Sequence, residues 1–387
     1  MFRKLTNFKL IRQVTHVVGR QFNIETKFDV NGIEIKANNV IKKFPYLWLR
    51  DNCKCSKCYN YIADEIDIDL TKLSDSIKPD KVETVKNIIS VTWDDGHKSE
   101  YNLENFVKNS LMSINESNKE LYLWNSELIK TGIPKFSYEQ YSKDNLVLKH
   151  SLQSIKKYGA AIIEGVKPDE KSITQVCKRI GPIQNSHFGA DCIVTNSLSF
   201  KDRAYTNLSL KAHTDTVYLK NSAGVEMFHV ITPAKVGGES LLVDGFYCAE
   251  LLRQNHPEDF DLLTKLSVEF NFLKEGAYDF RFKSPVIELD LNGKDLKQIR
   301  FNPYHKINLD HLSYQDITGF YKAMRKFTQI IQNKSNELWI GLREDQVLLF
   351  DNFRLLHGRA SFKGNRKLIT VYLSRDDWLS KLNVLEA

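Results

Sequence analysis

A histidine and a carboxylate two residues apart, His213 and Asp215 in the stretch HTDTVY, have the clearest capacity for chemistry in this chain. Residues at i and i+2 on a strand point to the same face, so both side chains could ligate one metal ion. Imidazole and carboxylate suit ferrous iron, which a facial triad of two histidines and one carboxylate holds with three positions open. The same pair of residues also occurs in ordinary polar turns, so these two residues alone do not establish a metal site.

A third possible ligand and a basic residue follow far along the chain. His357, in LLHGRASF, lies 142 residues after Asp215, and Arg366 begins the run RKLITVYL nine residues later. A buried arginine needs an anion beside it, and a dicarboxylate can accept a bidentate pair of hydrogen bonds from one guanidinium. The sequence therefore predicts iron on His213, Asp215 and His357, next to an anion site at Arg366.

A second metal site is indicated by the cluster CKCSKC, which supplies Cys53, Cys55 and Cys58. A structural zinc site is tetrahedral and takes four ligands, and His97 on the turn of WDDGHKSEY is the best candidate for the fourth. Free surface thiols and a redox motif are the alternatives. Three free thiols so close together at the surface would be prone to oxidation. A redox motif would be expected within a βαβ unit, and the surrounding sequence does not predict one.

The remaining cysteines do not form a disulfide pattern, which indicates a reducing intracellular compartment. They are isolated in the sequence: Cys177, Cys192 and Cys248.

Short strands dominate the pattern of the chain. Residues 28–50 and 89–101 read as strands, with a hairpin signal at Asn31-Gly32 and a third strand at YLWLRD. Many short β runs between 192 and 304 predict an antiparallel sandwich or barrel. An apolar stripe at helical spacing predicts one long helix over 313–335. The expected domains are residues 23–110, a connector 111–150, and residues 151–387.

The composition describes a chain with ample material for a core. It has 387 residues, 42 % of them hydrophobic, and no apolar run long enough to span a membrane. The net charge is +7, and removing the five positive charges within residues 1–20 leaves +2. The rest of the chain is therefore nearly balanced and gives no reason to expect a nucleic-acid partner.

The first 22 residues form a possible targeting segment. Basic and apolar residues alternate there, and no acidic residue occurs before Glu25. This composition is typical of a mitochondrial transit peptide. A disordered basic tail on a cytoplasmic protein is the alternative.

Several motifs together resemble one known family. LWLRDNCKCSKCYN, HTDTVYL, GGESLLVDGF, FDNFRLLHGR and YLSRDDW look like the 2-oxoglutarate-dependent carnitine-synthesis oxygenases, over roughly residues 25–385. The resemblance implies a mainly β fold with flanking helices: a double-stranded β-helix (jelly-roll) catalytic domain and a small zinc-binding, β-rich N-terminal domain. It implies Fe(II), 2-oxoglutarate on Arg366, ascorbate as reductant, and a homodimer.

The resemblance also implies roles for residues that spacing alone does not single out. Ser240 in GGES matches a hydroxyl that helps to hold 2-oxoglutarate. Tyr205 and Tyr372 match aromatic residues that face a quaternary ammonium group, and Asn302 matches a residue at the polar end of the substrate. The chain departs from the family pattern Tyr-Gly-x-x-Trp at FGADC, where Cys192 replaces the tryptophan. In this stretch Phe188 can face the cation, and Asp191 can supply a carboxylate to it.

The implied reaction is hydroxylation of N6,N6,N6-trimethyl-lysine at C3, coupled to conversion of 2-oxoglutarate to succinate and CO₂. Because of the departure at FGADC, γ-butyrobetaine or another quaternary amine is the alternative substrate. A non-catalytic jelly-roll binding protein is the alternative of a different class, and the intact set of candidate ligands argues against it.

Overall fold

The computed structural model describes residues 14–18, 23–37, 40–107, 121–187, 189, 192–195, 203–305 and 307–386. The chain divides into two compact units, Met1–Lys119 and Glu120–Ala387. Most of the possible targeting segment lies outside the described residues, so its role stays a prediction. Among the described helices, none combines the length and the apolar character needed to cross a membrane.

Antiparallel strands make up the first unit. They form a four-stranded sheet, a short hairpin and a three-stranded sheet. Their bounds are β1 (Val14–Val18), β2 (Asn23–Phe28), β3 (Gly32–Ala37), β4 (Val40–Pro45), β5 (Tyr59–Asn60), β6 (Glu65–Ile66), β7 (Pro79–Val85), β8 (Ile88–Trp93) and β9 (Lys98–Asn102). The hairpin predicted at Asn31-Gly32 is confirmed, because β2 pairs with β3 across that turn.

The strand predicted for YLWLRD is wrong, because these residues form the helix α1 (Tyr46–Asp51). Tyr46, Leu49 and Arg50 are its buried residues, and a spacing of three and four places them on one side of a helix. A half-buried strand would bury alternate residues instead. A second short helix, α2 (Leu103–Val107), directly follows β9.

Two sheets form the centre of the second unit. The larger has six strands in the order β10-β11-β23-β14-β26-β12, and the smaller has four in the order β13-β24-β16-β22. Their bounds are β10 (Lys135–Ser137), β11 (Ala160–Glu164), β12 (Cys192–Thr195), β13 (Leu210–His213), β14 (Val225–Thr232), β16 (Ser240–Asp244), β22 (Leu338–Ile340), β23 (Gln346–Asp351), β24 (Leu355–Arg359) and β26 (Lys367–Leu373).

Shorter sheets and seven described helices complete this unit. The strands are β15 (Val236–Gly237), β17 (Val268–Lys274), β18 (Tyr278–Ser284), β19 (Ile287–Leu289), β20 (Leu296–Ile299), β21 (Ile307–Asn308) and β25 (Phe362–Lys363). The helices are α3 (Tyr138–Lys143), α4 (Asn145–Tyr158), α5 (Ser172–Lys178), α6 (Gly245–Asn255), α7 (Pro257–Lys265), α8 (Tyr314–Ile331) and α9 (Arg375–Glu386). The fold is mainly β with flanking helices, as predicted.

The six-stranded sheet is buried on both faces. Val225 and Met227 of β14 pack with α4, α5 and α9, whereas Phe228 and Val230, on the opposite side of the strand, pack with Leu242 of the four-stranded sheet. Burial on both faces explains why β14 reads as an almost continuous apolar run.

The four-stranded sheet carries helices on its outer face. Leu241 and Leu356 pack there in one core with α6, α7 and α8. The long predicted helix is confirmed as α8, over a slightly shorter range. Helices α6 and α7 are not anticipated by the strand-rich pattern. Asp244 caps α6 through hydrogen bonds from the backbone N–H groups of the next turn, and Pro257 begins α7.

Of the expected connector, the structure describes residues 121–150, and these residues belong to the second unit. Trp124 is fully buried there, and its indole N–H donates to the carbonyl oxygen of Tyr158. This segment therefore contributes to the core of the unit.

Candidate active site and metal centres

The predicted iron ligands come together where β13 ends beside the middle of β24. His213 ends β13 and lies directly opposite His357 of β24. Asp215 Oδ1 is 3.4 Å from His213 Nε2 and 4.0 Å from His357 Nε2, and the three donor atoms lie within 4.8 Å of one another. The expected strand placement holds for His213 only, because Asp215 lies in the turn that follows β13.

That turn is held in an unusual conformation. Thr216 has φ 55°, a left-handed value that costs a β-branched residue about 1–3 kcal/mol. Its Oγ1 accepts a hydrogen bond of 2.8 Å from the N–H of Ala223. Asn352 accepts from the N–H of Asp215 at 2.8 Å and donates to its carbonyl oxygen at 3.2 Å. These bonds offset the strain and fix the direction of the Asp215 carboxylate.

The electrostatics of the three residues suit metal ligation. Burial disfavours the Asp215 carboxylate, but hydrogen bonding to His213 and the proximity of His357 still hold its pKa below the usual range. The Tyr372 hydroxyl adds a hydrogen bond of 2.6 Å to Asp215 Oδ2. Burial, together with the neighbouring His213, lowers the pKa of His357 to about 3. At neutral pH this imidazole keeps the lone pair that a metal requires.

A cavity of about 470 Å³ opens beside the three donor atoms. It is lined by every predicted site residue of this unit that the structure describes: Tyr205, His213, Asp215, Ser240, Asn302, His357, Arg366 and Tyr372. Phe188 and Asp191 lie outside the described residues. The cavity therefore joins the candidate metal ligands, the candidate anion site and the candidate substrate residues in one space.

Arg366 is a buried cation at the cavity. It is 6 % exposed, and among the described residues no hydrogen bond or ion pair satisfies its guanidinium, which has the Phe362 ring 5.9 Å away. Burial lowers its pKa to about 10, still far above neutrality. A buried, charged and unpaired guanidinium beside a cavity is the expected binding group for an anion.

Arg359, a second arginine at the cavity, has both of its terminal NH₂ groups engaged. They reach the carbonyl oxygens of Ala204 at 3.0 Å, Thr206 at 2.6 Å and Leu208 at 2.7 Å. Arg359 therefore holds the segment 203–208 against the sheet, and Arg366 is left as the group for a ligand.

Comparison with known proteins agrees with this geometry. The family described as taurine catabolism dioxygenase TauD, TfdA matches residues 124–372. The chain belongs to this family. A second family, described as gamma-butyrobetaine hydroxylase-like, N-terminal, matches residues 24–106. The resemblance to the carnitine-synthesis oxygenases is confirmed, and the chain is a 2-oxoglutarate-dependent dioxygenase, for which the family implies iron and 2-oxoglutarate.

Three relatives of this TauD, TfdA family member align with most of this chain and over most of their own length. The mitochondrial trimethyllysine dioxygenase of Mus musculus is 32 % identical over 98 % of this chain and 93 % of its own. That of Homo sapiens is 34 % identical, over 91 % and 85 %. The gamma-butyrobetaine dioxygenase of Pongo abelii is 28 % identical, over 88 % and 91 %.

The predicted substrate residues of this dioxygenase differ in what they contact. The Tyr372 hydroxyl is bonded to Asp215. Asn302 donates to the carbonyl oxygen of Thr214 at 3.3 Å and accepts from the N–H of Tyr304 at 3.0 Å. Both of these side chains thus hold parts of the site together, besides facing the cavity.

The sequence predictions do not include one wall of the cavity, which is formed by aromatic rings. We call it the aromatic wall, and it consists of Tyr218, Phe272, Tyr304 and His305. Tyr218 stacks on Phe272 with ring centroids 4.9 Å apart, and His305 meets Tyr218 edge-on at 5.2 Å. Of these four residues, only Tyr218 lies within a motif that the sequence singles out, at the end of HTDTVY.

The four predicted zinc ligands also converge. His97 Nε2 lies 3.4 Å from the Sγ of Cys53 and 3.5 Å from those of Cys55 and Cys58. Burial lowers the pKa of His97, which favours the neutral imidazole that ligates metals. Three sulfurs and one nitrogen within 4.8 Å of one another fit the donor set of a closed tetrahedral zinc site.

Proposed function

We propose that this dioxygenase hydroxylates N6,N6,N6-trimethyl-lysine at C3. One oxygen atom of O₂ enters the substrate and the other enters succinate, which 2-oxoglutarate yields with loss of CO₂. The observation that carries the substrate assignment is the agreement along nearly the whole chain with relatives named trimethyllysine dioxygenase. The cavity supports it with a metal-ligand set, an unpaired buried cation and an aromatic wall.

In this proposal His213, Asp215 and His357 hold iron, which supplies the activation of O₂ when bound. Arg366 takes the distal carboxylate of 2-oxoglutarate through its guanidinium, and the Ser240 hydroxyl assists from the start of β16. The remaining residues bind and orient the substrate. No side chain is needed as an acid or a base.

A trimethylammonium group has no N–H to donate, so aromatic faces bind it best. We propose that Tyr205 and the aromatic wall hold this end of the substrate, with Tyr372 beside the iron and Asn302 toward the polar end. Phe188 and Asp191 remain proposed contributors from the sequence. The binding of a quaternary amine thus depends on rings from several separate segments of the chain.

Hydroxylation of γ-butyrobetaine is the second candidate. The departure from the family pattern at FGADC motivates it, as does the similarity to a gamma-butyrobetaine dioxygenase. A non-catalytic binding protein is disfavoured by the retained ligand set and by Arg366, which has no acidic partner in the described part of the chain.

Release of succinate with Fe(II), ascorbate and 2-oxoglutarate distinguishes these candidates. We expect trimethyl-lysine to stimulate release at least about tenfold more than γ-butyrobetaine, a difference of about 1.4 kcal/mol in transition-state binding. Unmethylated lysine serves as the control, because its ammonium must lose hydrogen bonds to water on entering an aromatic site. Preferential stimulation by γ-butyrobetaine would overturn the substrate assignment and leave the reaction class unchanged. If neither amine stimulated succinate release, both candidate substrates would be contradicted.

We also propose a structural zinc ion on Cys53, Cys55, Cys58 and His97. Replacing Cys55 by serine should abolish stoichiometric zinc and destabilise the first unit by several kcal/mol, because a site of this kind contributes folding free energy directly. Metal analysis and thermal unfolding test this. Wild-type protein stripped with a chelator should show the same loss, and zinc should restore it only in the wild type. Equal zinc content in the variant would contradict the assignment.

A mitochondrial location and a homodimer complete the proposal. The basic, acid-free residues 1–20 and the mitochondrial relatives of mouse and human support the location. The dimer rests on the family resemblance alone.

A further inference from the structure

Glu226 is a buried acid beside the candidate iron site that the proposed reaction does not use. It lies on β14, is 1 % exposed and contributes to the wall of the cavity. Its Oε1 accepts a hydrogen bond of 3.0 Å from the hydroxyl of Thr370. Its Oε2 has no hydrogen-bond partner among the described residues. A half-satisfied buried carboxyl group is costly, so a role for the free oxygen is expected.

The nearest complementary group is on His357. Its Nδ1 is also buried without a hydrogen-bond partner among the described residues, and it lies 3.6 Å from Glu226 Oε2. The rest of the His357 ring is packed between aromatic rings, with centroids of Phe228 at 5.3 Å and Phe350 at 5.1 Å. Two unsatisfied polar atoms thus face each other in apolar surroundings.

The other histidine of the site provides the comparison. His213 has its Nδ1 2.8 Å from the carbonyl oxygen of Lys211, so a backbone acceptor orients that ring while Nε2 faces Asp215. His357 also turns Nε2 toward Asp215, but the group at its Nδ1 is Glu226. Each histidine therefore has one nitrogen at the metal position and an acceptor behind the other.

We infer that Glu226 is a positioning residue for His357: when His357 Nε2 ligates iron, its Nδ1–H donates to Glu226 Oε2, while Thr370 anchors Oε1. The inference rests on the proposed iron site. A ligating imidazole carries its single proton on the other nitrogen, and a carboxylate there fixes the tautomer and the ring orientation. Closing 3.6 Å to an ordinary hydrogen bond requires a movement of only several tenths of an ångström.

Binding of Mn(II) to the zinc-loaded protein tests this without turnover. Mn(II) prefers nitrogen and oxygen ligands over thiolates, and the electron paramagnetic resonance of the free ion reports its affinity. We expect Glu226→Ala to weaken Mn(II) binding about 10–100-fold, the usual effect of removing an outer partner of a metal ligand. Glu226→Gln should recover most of the affinity, because its amide oxygen can accept from Nδ1–H while Thr370 accepts from its NH₂ group.

Thr370 supplies a matched pair of variants. Thr370→Val removes the anchoring hydroxyl and should weaken Mn(II) binding severalfold, whereas Thr370→Ser keeps the hydroxyl and should leave the affinity unchanged. Thermal unfolding of the metal-free proteins separates this role from a structural one. A structural role would lower the stability of metal-free Glu226→Ala, whereas a positioning role leaves it at or above that of the wild type.

The possible outcomes separate the inference from the proposed function. Unchanged Mn(II) affinity in Glu226→Ala would overturn the inference and leave the iron site intact. Absence of Mn(II) binding in the wild type would contradict the iron site itself. If Glu226→Ala does not fold, the difference between Thr370→Val and Thr370→Ser decides, and equal affinities in that pair would overturn the inference.

Discussion

Asp215→Ala is expected to lower the rate of succinate formation by about 1,000-fold or more, equivalent to at least about 4 kcal/mol of transition-state stabilisation. Asp215 is the only acidic member of the candidate triad, and its Oδ1 is within 4.0 Å of the Nε2 atoms of both histidines. Without it, two neutral histidines would have to hold a divalent cation alone. Loss of Mn(II) binding should accompany the loss of turnover.

A control for this variant is Asp279→Ala. Asp279 is an exposed aspartate of β18 whose carboxylate pairs with Arg281 and which does not line the cavity. It should retain wild-type turnover and metal affinity. If Asp215→Ala kept more than about a tenth of the wild-type rate, a loss of only about 1.4 kcal/mol, the iron assignment would be wrong.

The candidate site could be predicted from sequence wherever residue type and spacing carried the information. His213 and Asp215 stand two residues apart, and the three thiols of the zinc cluster stand within six positions. His357 was identified at long range only because iron requires a second imidazole. The direct pairing of His213 with His357 follows from the register of β13 and β24, which no local pattern encodes.

Other features depend on contacts between distant elements. Glu226 lies in the apolar run VEMFHVIT, where a single acid reads as an irregularity of a buried strand. Its meaning depends on His357 and Thr370, each more than 100 residues away. The aromatic wall likewise draws single rings from separate parts of the chain.

The errors in the fold prediction have a similar cause. The residues of α1 are mostly apolar and aromatic, which suits a strand by propensity, and tertiary burial of one side decided for a helix. Helices α6 and α7 follow directly on β16, so the strand pattern masked the capping residue Asp244 and the helix-starting Pro257.

Arg366→Met should raise the KM for 2-oxoglutarate about 100-fold or more, because two charge-assisted hydrogen bonds of about 1.5–3 kcal/mol each are lost. The same change should raise the melting temperature of the cosubstrate-free protein. A buried cation without an acid costs free energy, and methionine removes the charge while keeping most of the apolar stem against Phe362. Lower affinity for the ligand is thus coupled to higher stability of the empty enzyme.

Arg359→Met is the matched control, since both arginines are buried at the same cavity. Its loss leaves the carbonyl oxygens of Ala204, Thr206 and Leu208 without their donor, at about 1–3 kcal/mol for each group that stays buried. The melting temperature should therefore fall in this variant and rise in Arg366→Met. Added 2-oxoglutarate with Mn(II) should stabilise the wild type and fail to stabilise Arg366→Met. A normal response of Arg366→Met to 2-oxoglutarate, or a loss of stability equal to that of Arg359→Met, would show that Arg366 supports the fold and does not bind the cosubstrate.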